Sequence, residues 1–402
     1  MSLTSHHSDA RSYRLSNIDM LRGLVIVIMA LDHVRDYFLV TTVQDPISDP
    51  ETSLGLYLTR WVTHFCAPVF VFLAGTSAGL MADRKSHMQL AGFLATRGLW
   101  LIAVELIIIS TAWSFAQLDG IPEIGGKIPL IFQVIWAIGA SMVLLALAQF
   151  GGARFCLVLG TVIVVGHNAL DPAWPLGQLL GGGDPLWYAL HTQSSTVVGP
   201  FLLVFVYPLL PWVGVMFLGY GTAYIFKLPA RQSDAYLLRA GVIMVVGFFL
   251  LRTLDIYGDP NPWSTSDAGI QATVFDFMNV TKYPPSLIYL LATLGPMAIA
   301  CAFACRWQGK LKDIFIVFGR APFAFYVLHL YLIHLLSVLY GLYQGYGLDE
   351  TMTIFFFYPD GFGVTLPWVY LFWLLIVAAL YPVCHWMVEL KSRRKDWWLS
   401  YL

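Results

Sequence analysis

Apolar runs long enough to cross a bilayer recur along this 402-residue chain and leave little room for any other architecture. With a window of about 19 residues they fall near 17–40, 61–82, 97–115, 128–149, 154–170, 199–226, 237–255, 283–305, 314–340 and 367–388. Hydrophobic residues make up 58% of the chain, charged residues 12%, and the mean hydropathy is +0.69, against about 25% charged residues in an ordinary soluble domain. Inside hydrocarbon each backbone polar group must be paired within its own segment, which favours helices. The sequence therefore predicts an all-α polytopic membrane protein of about ten transmembrane helices. It divides into a polar tail over 1–16, one membrane domain over 17–390 and a basic tail over 391–402.

Orientation follows from the placement of Lys and Arg. With both termini in the cytoplasm, Arg11, Arg14, Arg22, Arg84, Lys85, Arg97, Lys227, Arg306, Lys310, Lys312, Arg320 and Lys395 fall on the inner side. Arg35, Arg60, Lys127, Arg252 and Lys282 fall outside or near it, the bias that the positive-inside rule describes. The outer loops instead collect acids, among them Asp45, Asp49, Glu51, Asp119, Asp259 and Asp360, so the net charge of −1 hides an asymmetry. Nothing here is a nucleic-acid footprint. The first apolar run is followed by charges rather than a small-residue cleavage site, so it is expected to stay as an anchor. Cys66, Cys156, Cys301, Cys305 and Cys384 are scattered through apolar segments without metal-ligand spacing and read as packing residues.

One stretch resists this apolar reading. Asp32-His33-Val34-Arg35-Asp36 follows the run Leu24 to Leu31, with only nine residues between Arg22 and Asp32. Nine residues are about 14 Å of helix, whereas the hydrocarbon core is about 30 Å thick. Either the helix ends early or these groups line a wet cavity, and the apolar Val34 and Tyr37 to Val40 favour the cavity. On a helix over 17–40, Asp19 and Arg22 share a face, and Arg22 and His33, eleven apart, are nearly in line. A cation at one end and an imidazole about 16 Å away suit two parts of one long ligand. Asp36, three residues from His33, or Asp32 can orient the imidazole. The bland alternative is mutual neutralisation of Asp32, Arg35 and Asp36, with Asp19 and Arg22 a helix-start ion pair.

A second histidine, His64, opens the second helix and should lie at a depth similar to His33, although a lone histidine there is commonly just packed. Two histidines with carboxylates raise the question of zinc, but no compact spacing supplies three or four ligands, so no metal is expected. Asn279 and Lys282, at the outer start of the eighth helix, are candidates for the acceptor together with Arg35; a cap and a snorkelling lysine are the plain alternative. His329, deep in the ninth helix, is a further candidate. Glu105, in the third helix, needs a partner or a proton.

The motif Ile18-Asp19-Met20-Leu21-Arg22-Gly23 resembles the opening of the heparan-alpha-glucosaminide N-acetyltransferase catalytic-domain family, especially its bacterial members. Ala67-Pro68 to Thr76-Ser77, Tyr207-Pro208 to Val213-Gly214, Asn279 to Ser286, and Phe318-Gly319-Arg320-Ala321-Pro322 with Tyr326 to His329 resemble later parts of it, in order. The resemblance implies transfer of an acyl group, acetyl in the animal member, from cytoplasmic acetyl-CoA to a sugar across the membrane. It also implies a multi-pass protein of the bacterial inner membrane.

The sequence thus predicts an acyl-CoA-dependent O- or N-acyltransferase. Arg22, with Asp19, Arg97 and Arg320, would hold the donor's phosphates. His33, oriented by Asp36 or Asp32 and aided by His64, would deprotonate an acceptor or carry the acyl group itself. The assignment of His33 rests on the residues, not on the resemblance. The acceptor would be a glycan or small molecule bound near Arg35, Asn279, Lys282 and His329; oligomers are compatible with all of this. The alternative is a proton-coupled secondary transporter using Asp32, His33 and Glu105, although no inverted repeat is visible.

Overall fold

The computed structural model describes residues 3–40, 46–47, 52–115, 120–171, 184–394, 396 and 399, with side chains from Asn17 onward, Cys305 excepted. Arg11, Arg14, Asp45, Asp49, Glu51, Asp119 and Lys395 therefore lie outside the described residues or side chains. The helices are α1 Leu3–Phe38, α2 Leu54–Val62, α3 Cys66–Met81, α4 His87–Val104, α5 Ser110–Ser114, α6 Val134–Ala148, α7 Gly152–Gly166, α8 Pro185–Leu190 and α9 Leu209–Thr222. They continue as α10 Ala230–Leu254, α11 Ile270–Met278, α12 Leu287–Phe303, α13 Lys310–Arg320, α14 Pro322–Gln344 and α15 Leu366–Arg393. This is a polytopic helical membrane protein.

Among the described residues, seven helices are long and apolar enough to cross a membrane, against the ten segments expected. The difference has three sources. The stretch Val134–Leu170 counts as one run, yet it is broken at Gly151 and Gly152, the latter at φ +82°, into α6 and α7. The helix Leu287–Phe303 is apolar but short, and α1 carries Asp32, Arg35 and Asp36 in its final turns. That helix also begins at Leu3, so most of the expected polar tail is helical.

Two further expectations are corrected. The run 314–340 is not one helix: it divides at Ala321 (φ −121°, ψ 43°), because Pro322 disfavours helical geometry in the residue before it. The starts of the runs 128–149 and 199–226 are strands. Strands β1 Ile128–Phe132, β2 Ser194–Val198 and β3 Phe201–Phe205 form a sheet of order β1-β3-β2, parallel between β1 and β3 and antiparallel between β2 and β3. Five-residue apolar strands cannot be told from helix by periodicity. Gly199, at φ +58°, makes the β2–β3 turn.

The core is continuous through the bundle, and α1 runs through its middle with Val25, Ala30 and Val34 fully buried. Its closest neighbour is α13. A Cβ on Gly23 would lie 1.7 Å from the Phe315 carbonyl oxygen, and one on Gly319 would lie 1.7 Å from that of Asp19. Backbone meets backbone here, which only glycine permits. Cys66, Cys156 and Cys384 are buried free thiols.

Candidate active site

The helix α1 lines two cavities, one above the other. The lower, of about 320 Å³, has Arg22, Ser77 and Arg97 among apolar walls from Ile26, Phe93, Leu94, Leu101, Ile138 and Met142. The upper, of about 590 Å³, has Asp32, His33, Arg35, Asp36, Arg60 and Lys282 on its walls, with residues of all three strands closing one side. Both are bordered by Met29, Phe70 and Val134. Met29 stands seven residues after Arg22 and four before His33, so one stripe of α1 serves both chambers. A third cavity, of about 500 Å³, shares Arg35, Asp36, Phe355 and Phe356 with the upper one and adds Tyr37, Tyr358, Asp360 and Phe362.

At the lower end, Arg22 donates through Nη1 to Asp19 at 3.1 Å and to the Gly319 carbonyl at 3.3 Å, and through Nη2 to the Ser77 hydroxyl at 3.2 Å. Arg320 donates from Nε to the other Asp19 oxygen at 3.2 Å. Asp19 thus braces Arg22 and Arg320. Of the four residues expected to hold the donor, Arg22 and Arg97 line the lower cavity; Asp19 and Arg320 support its rim.

At the upper end, Asp32 is enclosed by cations: Arg35 Nη1 at 2.8 Å, Arg60 Nη1 at 3.1 Å and Lys282 Nζ at 3.9 Å. Arg35 also pairs with Asp36. The carboxylates expected to orient His33 are therefore taken by guanidinium groups, which as full charges hold a carboxylate better than a neutral imidazole does.

His33 is oriented by His329 instead. Its Nδ1 lies 2.8 Å from His329 Nε2, with the rings stacked at 5.0 Å, and His329 Nδ1 lies 3.0 Å from the Phe325 carbonyl. A carbonyl only accepts, so a neutral His329 carries its proton on Nδ1 and accepts on Nε2. His33 must then donate from Nδ1, which leaves the lone pair on Nε2. The histidine chain fixes the tautomer. His329, expected as a substrate contact, is fully buried and is not among the residues lining the three cavities.

Two other expected residues are displaced. His64, 2% exposed, donates from Nδ1 to the Arg60 carbonyl at 3.0 Å and packs between Trp61 and Tyr289. It is not among the residues lining the three cavities, because the short 3-10 turn Thr63–Phe65 directs Thr63 and Cys66 there instead. Asn279 caps the end of α11 rather than starting a helix, and its carbonyl accepts from the buried Arg252, which also binds the carbonyls of Asn261, Asp276 and Phe277. The cap of α12 is Ser286. Of that expected pair only Lys282 reaches the cavity. Glu105 finds a partner: it lies in the π-turn Glu105–Ile109 and accepts from the Trp136 backbone at 2.8 Å, capping α6. Sequence reasoning missed Trp113, whose ring stands edge-on to His33 at 5.2 Å. No signal marked it.

The family described as heparan-alpha-glucosaminide N-acetyltransferase, catalytic, matches residues 14–257. The chain belongs to this family. The matched region holds the whole stripe of α1 from Asp19 to Asp36, together with Arg60 and Arg97, whereas Lys282, Arg320 and His329 lie beyond it. No curated protein matches the chain. Membership of the heparan-alpha-glucosaminide N-acetyltransferase family, together with seven membrane-length helices, makes the protein a membrane acetyltransferase. Among the described residues no group of three or more His, Cys, Asp or Glu side chains is placed to hold a metal ion.

Proposed function

We propose that the protein moves an acyl group, acetyl in the first instance, from acyl-CoA bound in the lower cavity to a sugar or other small acceptor in the upper one. The observation that carries this reading is the pair of cavities along α1, cationic at Arg22 and Arg97, apolar at the shared border, and built around an oriented imidazole beyond it. The donor fits the lower chamber by chemistry. Two guanidinium groups and a hydroxyl suit phosphates, and the apolar walls suit an uncharged arm. Bound there, acyl-CoA supplies an activated acyl group as a thioester.

Each of the protein's own groups then has a task. Arg22, braced by Asp19, and Arg97 hold the phosphates. Met29, Phe70 and Val134 exclude water from the border. His33 takes the acceptor's proton on Nε2, and His329 keeps that nitrogen unprotonated beforehand. Lys282, Arg35 and Asp36 offer donors and an acceptor to the incoming molecule, and the rings of the third cavity give an apolar face on its route in. Supporting the sidedness, Lys312 donates to Asn17, five residues before Arg22 on α1, and Arg84 and Lys85 follow the end of α3 shortly after Ser77, the partner of Arg22; by the positive-inside rule this favours a donor on the cytoplasmic side. A bacterial inner membrane suits that arrangement.

The test is purified protein incubated with acetyl-CoA labelled in the acetyl group and a panel of amino sugars and alcohols. CoA release with labelled acceptor is expected, and His33→Ala should abolish it. Full activity in His33→Ala would remove His33 from the mechanism. Absence of both CoA binding and release would remove the donor itself.

A further inference from the structure

Tyr326 is a buried polar side chain left unused by the mechanism above. It is 3% exposed, and its hydroxyl has no hydrogen-bond partner among the described residues. Buried hydroxyls are normally paired, since an orphaned one sacrifices its hydration for nothing. The residue borders the lower cavity, and its ring packs on His329 at 5.6 Å with a tilt of 56°. It precedes His329 by three residues on α14, about 4.5 Å along the axis, so it stands on the donor side of the imidazole pair. Trp113 Nε1 is orphaned too, but Trp113 borders the upper cavity, on the acceptor side.

We propose that the Tyr326 hydroxyl donates a hydrogen bond to the thioester carbonyl oxygen where the two cavities meet. The assignment rests on the acyl-transfer reading. As the acceptor's lone pair adds to the carbonyl carbon, the C=O π pair moves onto oxygen and the acceptor's proton passes to His33 Nε2. The hydroxyl meets that growing negative charge without losing its own proton. Collapse re-forms C=O and breaks the C–S bond, and the departing thiolate receives the proton from His33. Acyl-CoA and the protonated acceptor thereby become acylated acceptor and CoA thiol.

Tyr326→Phe removes a hydroxyl that no described group binds, so its melting temperature in detergent should not fall. Full-length protein is loaded with acetyl-CoA carrying 13C at the thioester carbonyl and studied by infrared difference spectroscopy. In wild type the bound carbonyl band should lie below its position in free acetyl-CoA. In Tyr326→Phe it should return towards the free position with binding retained, while kcat falls roughly 10²- to 10³-fold at unchanged donor KM. A band unmoved by Tyr326→Phe, or moved instead by Trp113→Phe, overturns the assignment and leaves acyl transfer standing. A lowered melting temperature would make the hydroxyl structural and overturn it as well. Wild-type protein that binds no acetyl-CoA overturns both readings.

Discussion

His33 Nδ1 and His329 Nε2 lie 2.8 Å apart across 296 positions of sequence, and this contact sets which nitrogen of His33 carries the proton. The Phe325 carbonyl behind His329 sets the direction of both hydrogen bonds. Replacing His329 by Phe should leave His33 Nδ1 without an acceptor and free the ring to adopt the other tautomer. Turnover is expected to fall by about 10²-fold, the lower end of general-base contributions, with donor KM unchanged. The double variant with His33→Ala should be no worse than His33→Ala alone, because the two act as a unit. Steady-state kinetics of CoA release measures both, and additive losses would contradict the coupling.

Arg22 is held by Asp19, Ser77 and the Gly319 carbonyl. Arg22→Gln should weaken CoA binding by about 1.5 to 3 kcal/mol, the worth of a hydrogen bond to a charged group, and leave the acceptor's KM unchanged. Calorimetric titration with CoA reads the first quantity directly. Unaltered CoA affinity would move the phosphates elsewhere.

Gly23 and Gly319 each face a carbonyl oxygen at 1.7 Å from where a Cβ would be. Alanine at either should push α1 and α13 apart and destabilise the protein by about 1 to 3 kcal/mol, the usual cost of overpacking. Gly92, exposed on α4 with nothing within 4 Å of its Cβ position, is the control: Gly92→Ala should be neutral or stabilising by up to about 1 kcal/mol. Thermal melts in one detergent compare the three, and equal shifts would deny the close approach.

Asp32, with its side chain 13% exposed, balances Arg35, Arg60 and Lys282. Asp32→Asn leaves those cations facing one another and should cost about 3 kcal/mol of stability. Restoring balance with Asp32→Asn and Lys282→Gln together should recover part of the loss. A double variant as unstable as the sum of the singles would show that the charges do not interact.

The stripe from Asp19 through Arg22 to His33 was legible because it lies on one helix, where an eleven-residue spacing fixes direction. The membrane class was legible for a similar reason, since apolarity summed over about twenty residues is a local property. Sequence could not tell the strands at 128–132 and 201–205 from helix, as each is a short apolar run whose state depends on pairing across more than seventy residues. His64 looked equivalent to His33 because depth along a helix can be read from sequence, whereas the direction of a side chain at a 3-10 turn cannot.

The sequence by itself determined that this chain fills a bilayer and that α1 carries a charged group at one end and an imidazole with carboxylates at the other. Only the tertiary structure decided which partner each charge receives. Asp32 and Asp36 are neighbours of His33 in sequence, yet the guanidinium groups of Arg35 and Arg60 claim them, and the imidazole is left to His329 on a distant helix. Helical periodicity places residues on a face, but a contest between charged and neutral partners is settled only when every competing group has been brought within hydrogen-bond reach.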